Sequence, residues 1–514
     1  MAGLRLDLHM PRLLRNIVAN YAGSIASVAI LFFLTPFVIH RLGDEAYAVW
    51  VLIQSISFYL CFYDLGIYDA IVKYTAEFDE EPDDAALERV VGTALVVCAA
   101  AGAAAVLTSV GLAWWLVPHL DLSPELVPTV QLVTLILAVD IAVDFMAAVL
   151  CALLEGRQRY DVLNGVQVGV RVGQALATVV LLVMGYGLLS LAVLELAMSI
   201  AFLAAMIVCT RVLDPELALT LRRFDRETWR RMRGYSFWSL LSEIAAEGSS
   251  ELDKLFIPTF LSLALLTPYS IACSVLTIIS WVVHPIVTAF FPFSAALGAR
   301  DDREGLDRLL IQGSKATLAM SLPVAILLLL AAESVIENWV GAEYVAEAAP
   351  VLRIVLVNVM ISAAFAPAVQ ILAALDKVRE IFWLTLIEIL VSVAMVSVTA
   401  GSGGLPGLTA SLLAANFLID FGLLMPLACR TLGVPVGRFL REVIAAPLAA
   451  ALPAAGLAVL LSRYAYPETW LALGLQGIAI GLLYALTFLA ICVSKREREL
   501  IFQYASRLLA AGAR

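Results

Sequence analysis

The chain has 514 residues, 62% of them apolar and only 15% charged, with a mean hydropathy of +0.94; an ordinary soluble domain is about half apolar and about a quarter charged. Hydrocarbon offers backbone amides no partners, so the excess apolar sequence must form helices or a closed barrel, and its stretches are uniformly apolar rather than alternating, which excludes the barrel. The net charge of −10 hides signs that are sorted along the chain, and no nucleic-acid partner is expected.

In chain order, the stretch MAGLRLDLHMPRLLRN runs into an apolar segment with no A-x-A-like cleavage site after it. That predicts a retained first helix rather than a removed signal peptide. Apolar stretches of the roughly 20 residues needed to cross about 30 Å of hydrocarbon fall at 14–40, 46–76, 87–117, 124–155, 160–185, 187–212, 233–258, 264–293, 305–335, 346–374, 378–400, 405–430, 437–462 and 468–494. The spacing predicts an all-α polytopic membrane protein with 14 transmembrane helices. The fifth and sixth are parted only by Gly185-Tyr186-Gly187, and the seventh carries Glu243, Glu247, Glu251, Asp253 and Lys254.

Lys and Arg set orientation because they stay on the cytoplasmic side. With the amino terminus inside, 27 of the 33 Lys and Arg fall on inside connectors, Arg41 and Arg463 fall outside, and Arg171, Lys254, Lys315 and Arg353 fall within helices. Strict alternation supports both the count and an N-in/C-in topology. The acidic run Glu77-Phe78-Asp79-Glu80-Glu81-Pro82-Asp83-Asp84 reads as a solvated connector broken by Pro82. The connector from Arg211 to Arg233 holds seven arginines, and an interfacial helix is expected around 222–231, facing anionic lipid headgroups. The seven cysteines lie in or beside apolar stretches with no CxxC and no Cys/His cluster, so they read as small hydrophobes and not as disulfides or metal ligands.

An internal repeat crosses that basic connector. Gly156-Arg157-Gln158-Arg159 recurs as Asp376-Lys377-Val378-Arg379 at an offset of 220, while Leu87-Glu88-Arg89 and Leu306-Asp307-Arg308, and Gly187-Leu188-Leu189-Ser190 and Pro406-Gly407-Leu408-Thr409, recur at 219. The expected organisation is an N-lobe of helices 1–6 (1–213), a cytoplasmic basic linker (214–232), a C-lobe of helices 7–12 (233–433), and helices 13–14 with a cytoplasmic tail (434–514). Each bundle has an even number of helices, so the repeat is parallel about the membrane normal. Two such bundles around a central cavity are suited to alternating access.

The segment Asn16 to Ala76, with Pro36, the turn Arg41-Leu42-Gly43-Asp44-Glu45-Ala46-Tyr47-Ala48-Val49-Trp50 and Phe62-Tyr63-Asp64-Leu65-Gly66-Ile67, resembles the polysaccharide-transport branch of the multidrug/oligosaccharidyl-lipid/polysaccharide exporter superfamily, the Wzx-type O-antigen flippases. Leu252-Asp253-Lys254-Leu255-Phe256-Ile257, Tyr269-Ser270-Ile271-Ala272 and Trp339-Val340-Gly341-Ala342-Glu343-Tyr344 are similar to the same pattern. The resemblance covers nearly the whole chain through structural turn signatures. It implies a transporter, not an enzyme, that turns an undecaprenyl-diphosphate-linked oligosaccharide of O-antigen, capsule or exopolysaccharide from the cytoplasmic to the periplasmic leaflet. Expected partners are that glycan, membrane lipids and the polysaccharide polymerase machinery, and the chain is expected to act as a monomer.

A charge at the bilayer centre costs about 2.5 to 3.5 kcal/mol on insertion scales, so the intramembrane charges are the site candidates. Arg171 and Lys315 each lie about ten residues into their helices, about 15 Å deep, and could pair with an entering diphosphate. Lys254 and Arg353 are further cationic candidates nearer the outer surface, where snorkelling or a local salt bridge is the alternative, Glu251 with Lys254 at i,i+3 being one such pair. Asp140 with Asp144, and Glu243 with Glu247, share a helix face at spacing four; with Glu388 and Asp420 they are candidates for coupling export to Na⁺ or H⁺, and Glu195 is a further intramembrane carboxylate. No cofactor or resident metal is expected. Bending at Pro36 is a candidate gate.

Three rival readings share parts of this pattern. A cation-coupled multidrug antiporter of the same superfamily has an acidic cavity, and a lipid II flippase carries a related lipid diphosphate. A membrane glycosyltransferase or ligase needs a large outer loop with acidic catalytic residues, but the outside connectors are only about ten residues long. No Walker motif points to ATP as the energy source.

Overall fold

The computed structural model describes residues 30, 32–80, 83–120, 122–157, 159–215, 217, 219–220, 224–247, 251–298, 300–375 and 377–493. Among these residues every regular element is a helix: α1 (Phe32–Leu42), α2 (Asp44–Cys61), α3 (Ile67–Glu80), α4 (Asp84–Trp115), α5 (Val127–Gly156), α6 (Tyr160–Val183), α7 (Leu188–Leu213), α8 (Arg226–Glu247), α9 (Leu252–Phe260), α10 (Leu266–Gly298), α11 (Arg303–Trp339), α12 (Val345–Ala374), α13 (Val378–Ile419), α14 (Met425–Leu432), α15 (Val436–Phe439), α16 (Ala446–Tyr464) and α17 (Trp470–Ile491). Eleven segments are long and apolar enough to cross a membrane, and Phe32–Leu42 and Leu263–Thr277 are shorter apolar helices. The expected first span starts among residues outside the described ones. The expected seventh span is divided between α8 and α9, with 248–250 outside the described residues.

The breaks have local causes. Leu65 and Gly66 adopt positive φ of 58° and 68°, and the Asp64 carboxylate accepts from the Gly66 amide at 2.8 Å, so the expected second span is parted into α2 and α3. In α13 Gly404 takes φ +57°, a conformation open to glycine at little cost, which separates Val378–Thr399 from Gly403–Leu432. The turns Asp420–Leu424 and Leu440–Ala445 are π-helical. Each runs into a proline, Pro426 or Pro447, whose ring removes an amide donor and crowds the preceding turn. Helix starts carry side-chain caps: Asp83 accepts from Ala86 N, Asp302 from Gly305 N, and Asp225 from Thr228 N.

The chain divides into two compact units, Met1–Thr267 and Pro268–Arg514; α8 packs on α3 and α4, and α9 on α2. In the first unit α3, α4, α5 and the start of α8 enclose Ile67, Ile71, Val91, Ala105, Val149, Leu153 and Met232. Small residues bring the backbones together, as is usual between helices in lipid. A Cβ on Gly102 would lie 2.8 Å from the Cβ of Ala142, and one on Gly156 would lie 2.6 Å from the Cβ of Thr75 and 2.8 Å from the Val72 carbonyl. A second cluster of Leu150, Cys151, Leu154, Leu163 and Met206 joins α5, α6 and α7.

In the second unit α11 packs on α12, α16 and α17. Hydroxyls cross between helices: Thr317 Oγ1 donates to the Ala363 carbonyl, and Thr487 Oγ1 to the Ala450 carbonyl, both at 2.6 Å. Phe365 stacks on Phe439 at 5.7 Å and meets Phe421 edge-on at 5.0 Å. Arg438 binds both oxygens of Asp307 at 3.1 and 2.7 Å, a bidentate geometry that a guanidinium favours.

Candidate functional site

In the first unit, four apolar helices converge on one polar cluster. Asp140 and Asp144 stand on α5, Glu195 and Ser199 on α7, Gln54 on α2 and Gln174 on α6, all well inside their helices. The Ser199 hydroxyl is within hydrogen-bonding reach of both aspartates. Glu195 takes hydrogen bonds from Gln174 and from Gln54 Nε2, the latter at 3.4 Å, and Asp140 and Asp144 are its charged neighbours. Asp140 is 7% exposed and its Oδ1 is buried without a hydrogen-bond partner. Desolvated carboxylates held this close gain from a shared proton or a bound cation, and an unmatched acceptor marks where it would sit. Among the described residues no group of three or more His, Cys, Asp or Glu side chains is arranged as a metal-binding shell.

The second unit holds a cluster of the same plan. Asp420, 8% exposed, opens a π-helical turn and has Glu388 as its charged neighbour. One turn before it, Asn416 Nδ2 donates to Asn358 Oδ1 at 2.6 Å and to Ser362 Oγ at 3.3 Å. Asp140/Asp144 and Asn358/Ser362 are both i,i+4 pairs, 218 residues apart, and Glu195/Ser199 and Asn416/Asp420 are i,i+4 pairs 221 apart. The repeat of the connectors therefore continues into the membrane interior. Six positions that sequence reasoning missed, Gln54, Gln174, Ser199, Asn358, Ser362 and Asn416, complete the clusters, and the signal for four of them was this spacing of polar residues within apolar helices. The side chains of Glu243 and Glu247 lie outside the described ones.

The four cationic candidates have different surroundings. Arg171 is exposed on α6. Lys254 donates to Glu251 Oε1 at 2.7 Å, and the other carboxylate oxygen accepts from Ser55 Oγ at 2.7 Å; the i,i+3 pairing is the one expected from the sequence. Ser55 lies eleven residues along α2 from Asp44, about 16 Å at 1.5 Å per residue, so this pair is deeper than its place in the sequence suggests. Arg353 donates to Glu333 Oε1 at 2.9 Å and to the Leu329 carbonyl at 3.1 Å, which ties α12 to α11. Lys315 donates to the Cys492 carbonyl at 3.0 Å, where a cation favours a helix C-terminus. Lys315 and Glu333 are 18 residues apart on α11, about 27 Å, so Lys315 and Arg353 cannot hold one diphosphate together.

Of the helix expected at 222–231, residues 222–223 lie outside the described residues and 226–231 form the start of α8. Trp229 and Met232 enter the core of the first unit, while Arg226, Arg230 and Arg233 are exposed. The Asp225 carboxylate at its cap accepts from the side chain and amide of Thr228, which hold it below the usual carboxylate range.

Residues 42–349 match a family model described as polysaccharide biosynthesis protein. The "Uncharacterized membrane protein EpsK" of Bacillus subtilis (strain 168) is 21% identical over 501 residues, covering 95% of this chain and 97% of that protein. The fold is similar to that of a structure titled "Lipid II flippase MurJ, inward closed conformation", with a TM-score of 0.71, 13% identity and coverage of 93% of this chain and 99% of that one. It is also similar to an inward-facing multidrug resistance MATE family transporter of the MOP superfamily, with a TM-score of 0.66, 14% identity and coverage of 80% and 94%.

Proposed function

Because the chain belongs to the polysaccharide biosynthesis protein family, we propose that this multi-pass membrane protein is a flippase for a polyprenyl-diphosphate-linked oligosaccharide, moving it from the cytoplasmic to the periplasmic leaflet of a bacterial inner membrane by ion-coupled alternating access. The observation that carries the reading is the pair of buried polar clusters at repeat-related positions. A passive scaffold gains nothing from carboxylates desolvated in the middle of apolar helices, whereas a coupled transporter needs groups that exchange a proton or Na⁺ as they pass between dry and hydrated states. The three carboxylates of the first unit are the coupling site, and the Glu388–Asp420 pair is its counterpart in the second. Lys254 is the cation best placed for a diphosphate, because it lies in the membrane interior and its present partner, Glu251, can be exchanged for phosphate oxygens. The fourteen-helix count with both termini in the cytoplasm belongs to this reading, as do the assignment of 214–232 as linker and the contact with polymerase machinery.

Lipid II flipping remains the second reading, favoured by a fold match over 99% of the MurJ chain. Proteoliposomes loaded with defined polyprenyl-diphosphate glycans, under an imposed proton or sodium gradient, separate the two. Gradient-dependent flipping of a polysaccharide repeat unit, lost with Asp140→Asn/Glu195→Gln, is the expected result. Flipping of lipid II alone, or rates blind to both gradients, would overturn it.

A further inference from the structure

In the second unit α11 and α17 meet at both ends of a groove and part between them. At one end a Cβ on Gly477 would lie 3.1 Å from Leu327 Cδ2; at the other, Lys315 reaches the Cys492 carbonyl. Between these contacts lies a cavity of about 620 Å³, within the range of pockets that hold amphiphile-sized ligands. Its walls are Ala319, Pro323, Gly481, Tyr484 and Ala485, with Lys315 at the mouth and, among the described residues, no acidic side chain in the lining. The small residues open the space: a Cβ on Gly481 would meet nothing within 4 Å.

The depth of Lys315 follows from α17. Its 22 residues make a rod of about 33 Å, one crossing of a hydrocarbon layer about 30 Å thick, so Cys492 at its end lies at headgroup level and Lys315 lies there with it. From Lys315 to Leu327 is twelve residues along α11, about 18 Å, close to the depth of one leaflet. Among the described residues the cation at the mouth is bound to a carbonyl and not to a carboxylate, and an ammonium has three donors of which Cys492 takes one. Inside the groove the Tyr484 hydroxyl is buried with no hydrogen-bond partner, although its residue is only 4% exposed.

We propose that this groove binds one anionic glycerophospholipid of the bilayer, its phosphate on Lys315 and one acyl chain laid between α11 and α17. The phosphate neutralises the ammonium through a charge-assisted hydrogen bond. The chain fills apolar space that would otherwise stay unpacked, and a polar group or water carried with the lipid completes Tyr484. The lipid thereby fastens the last helix to the second unit, a role separate from that of the transported glycan.

The test is native mass spectrometry of the full-length protein after delipidation and incubation with equal amounts of palmitoyl-oleoyl-phosphatidylglycerol and -phosphatidylcholine. The parent protein is expected to retain one phosphatidylglycerol in preference to phosphatidylcholine. Lys315→Gln keeps an amide donor for the Cys492 carbonyl but loses the charge; it is expected to lower that preference about fivefold, equivalent to ~1 kcal/mol per basic residue near an anionic surface. Gly481→Leu fills the groove and is expected to lose one lipid of either kind; Ala485→Leu, at an exposed position, serves if the first variant does not fold. An unchanged preference in Lys315→Gln overturns the proposal. So does unchanged lipid stoichiometry in a folded groove-filling variant, or one-for-one displacement of phosphatidylglycerol by a polyprenyl phosphate, which would assign the groove to the cargo's chain.

Discussion

The Lys254–Glu251 pair allows structure and transport to be separated. The two side chains are 2.7 Å apart and only 20% and 21% exposed, and Ser55 holds the second carboxylate oxygen. Lys254→Met leaves Glu251 charged and half-partnered in a dry setting. Removing one member of a buried pair costs about 3 to 5 kcal/mol, and one-fifth exposure places this case near the lower figure, ~3 kcal/mol. Glu251→Gln/Lys254→Met removes both charges while leaving an amide for Ser55, and swaps of this kind are often close to neutral. The expected pattern is a clear loss of thermal stability in detergent for the single variant and recovery of most of it in the double variant. Polyprenyl-diphosphate glycan transport should stay low in both, because the cation proposed to meet the diphosphate is gone from both. If the double variant regains stability and transport together, Lys254 is a structural residue and the assigned role is wrong. A single variant as stable as the parent would show that the pair is more hydrated than its burial implies.

Asp140→Asn/Asp144→Asn is expected to abolish acceleration by a proton or sodium gradient while leaving the protein folded; an unaltered response in proteoliposomes counts against the coupling site. Arg171→Ala should strongly reduce surface polysaccharide with normal insertion, read by an export complementation assay alongside a membrane-fraction blot. Gly156→Leu must displace α3 and is expected to cost at least the ~1–3 kcal/mol of an overpacked core, whereas Gly165→Ala, whose added Cβ meets nothing within 4 Å, should be neutral or slightly stabilising by thermal melting. The carboxyl of Asp225 is held below its ordinary value by Thr228. Its contribution to the α8 start is therefore present above the usual carboxylate range and is lost as pH falls through the lowered value. Hydrogen exchange of 226–233 should quicken on acidification, and Asp225→Asn should remove most of that pH dependence.

Apolar runs were enough to place eleven of the expected spans on long helices among the described residues, because a backbone in hydrocarbon satisfies its amides within a helix. Depth was less legible. α11 has 37 residues, about 55 Å, longer than one crossing, so counting inward from its start does not fix the depth of Lys315. The Lys254–Glu251 contact is local and could be read from spacing, but the Arg353–Glu333 contact joins two helices 20 residues apart in sequence. The carboxylate pair on α5 was visible as a pair. Its gathering with Glu195, Ser199, Gln54 and Gln174 depended on how four helices converge, which no single periodicity encodes.

The widened turns at Asp420–Leu424 and Leu440–Ala445 bracket α14 and α15. A helix with an extra residue in one turn leaves that turn in a new direction. The block from Met425 to Phe439 is held from the side by Arg438 on Asp307 and by Phe439 on Phe365, so the two widened turns re-aim the chain on either side of a fastened block, and the first of them sets the direction of Asp420, which opens it.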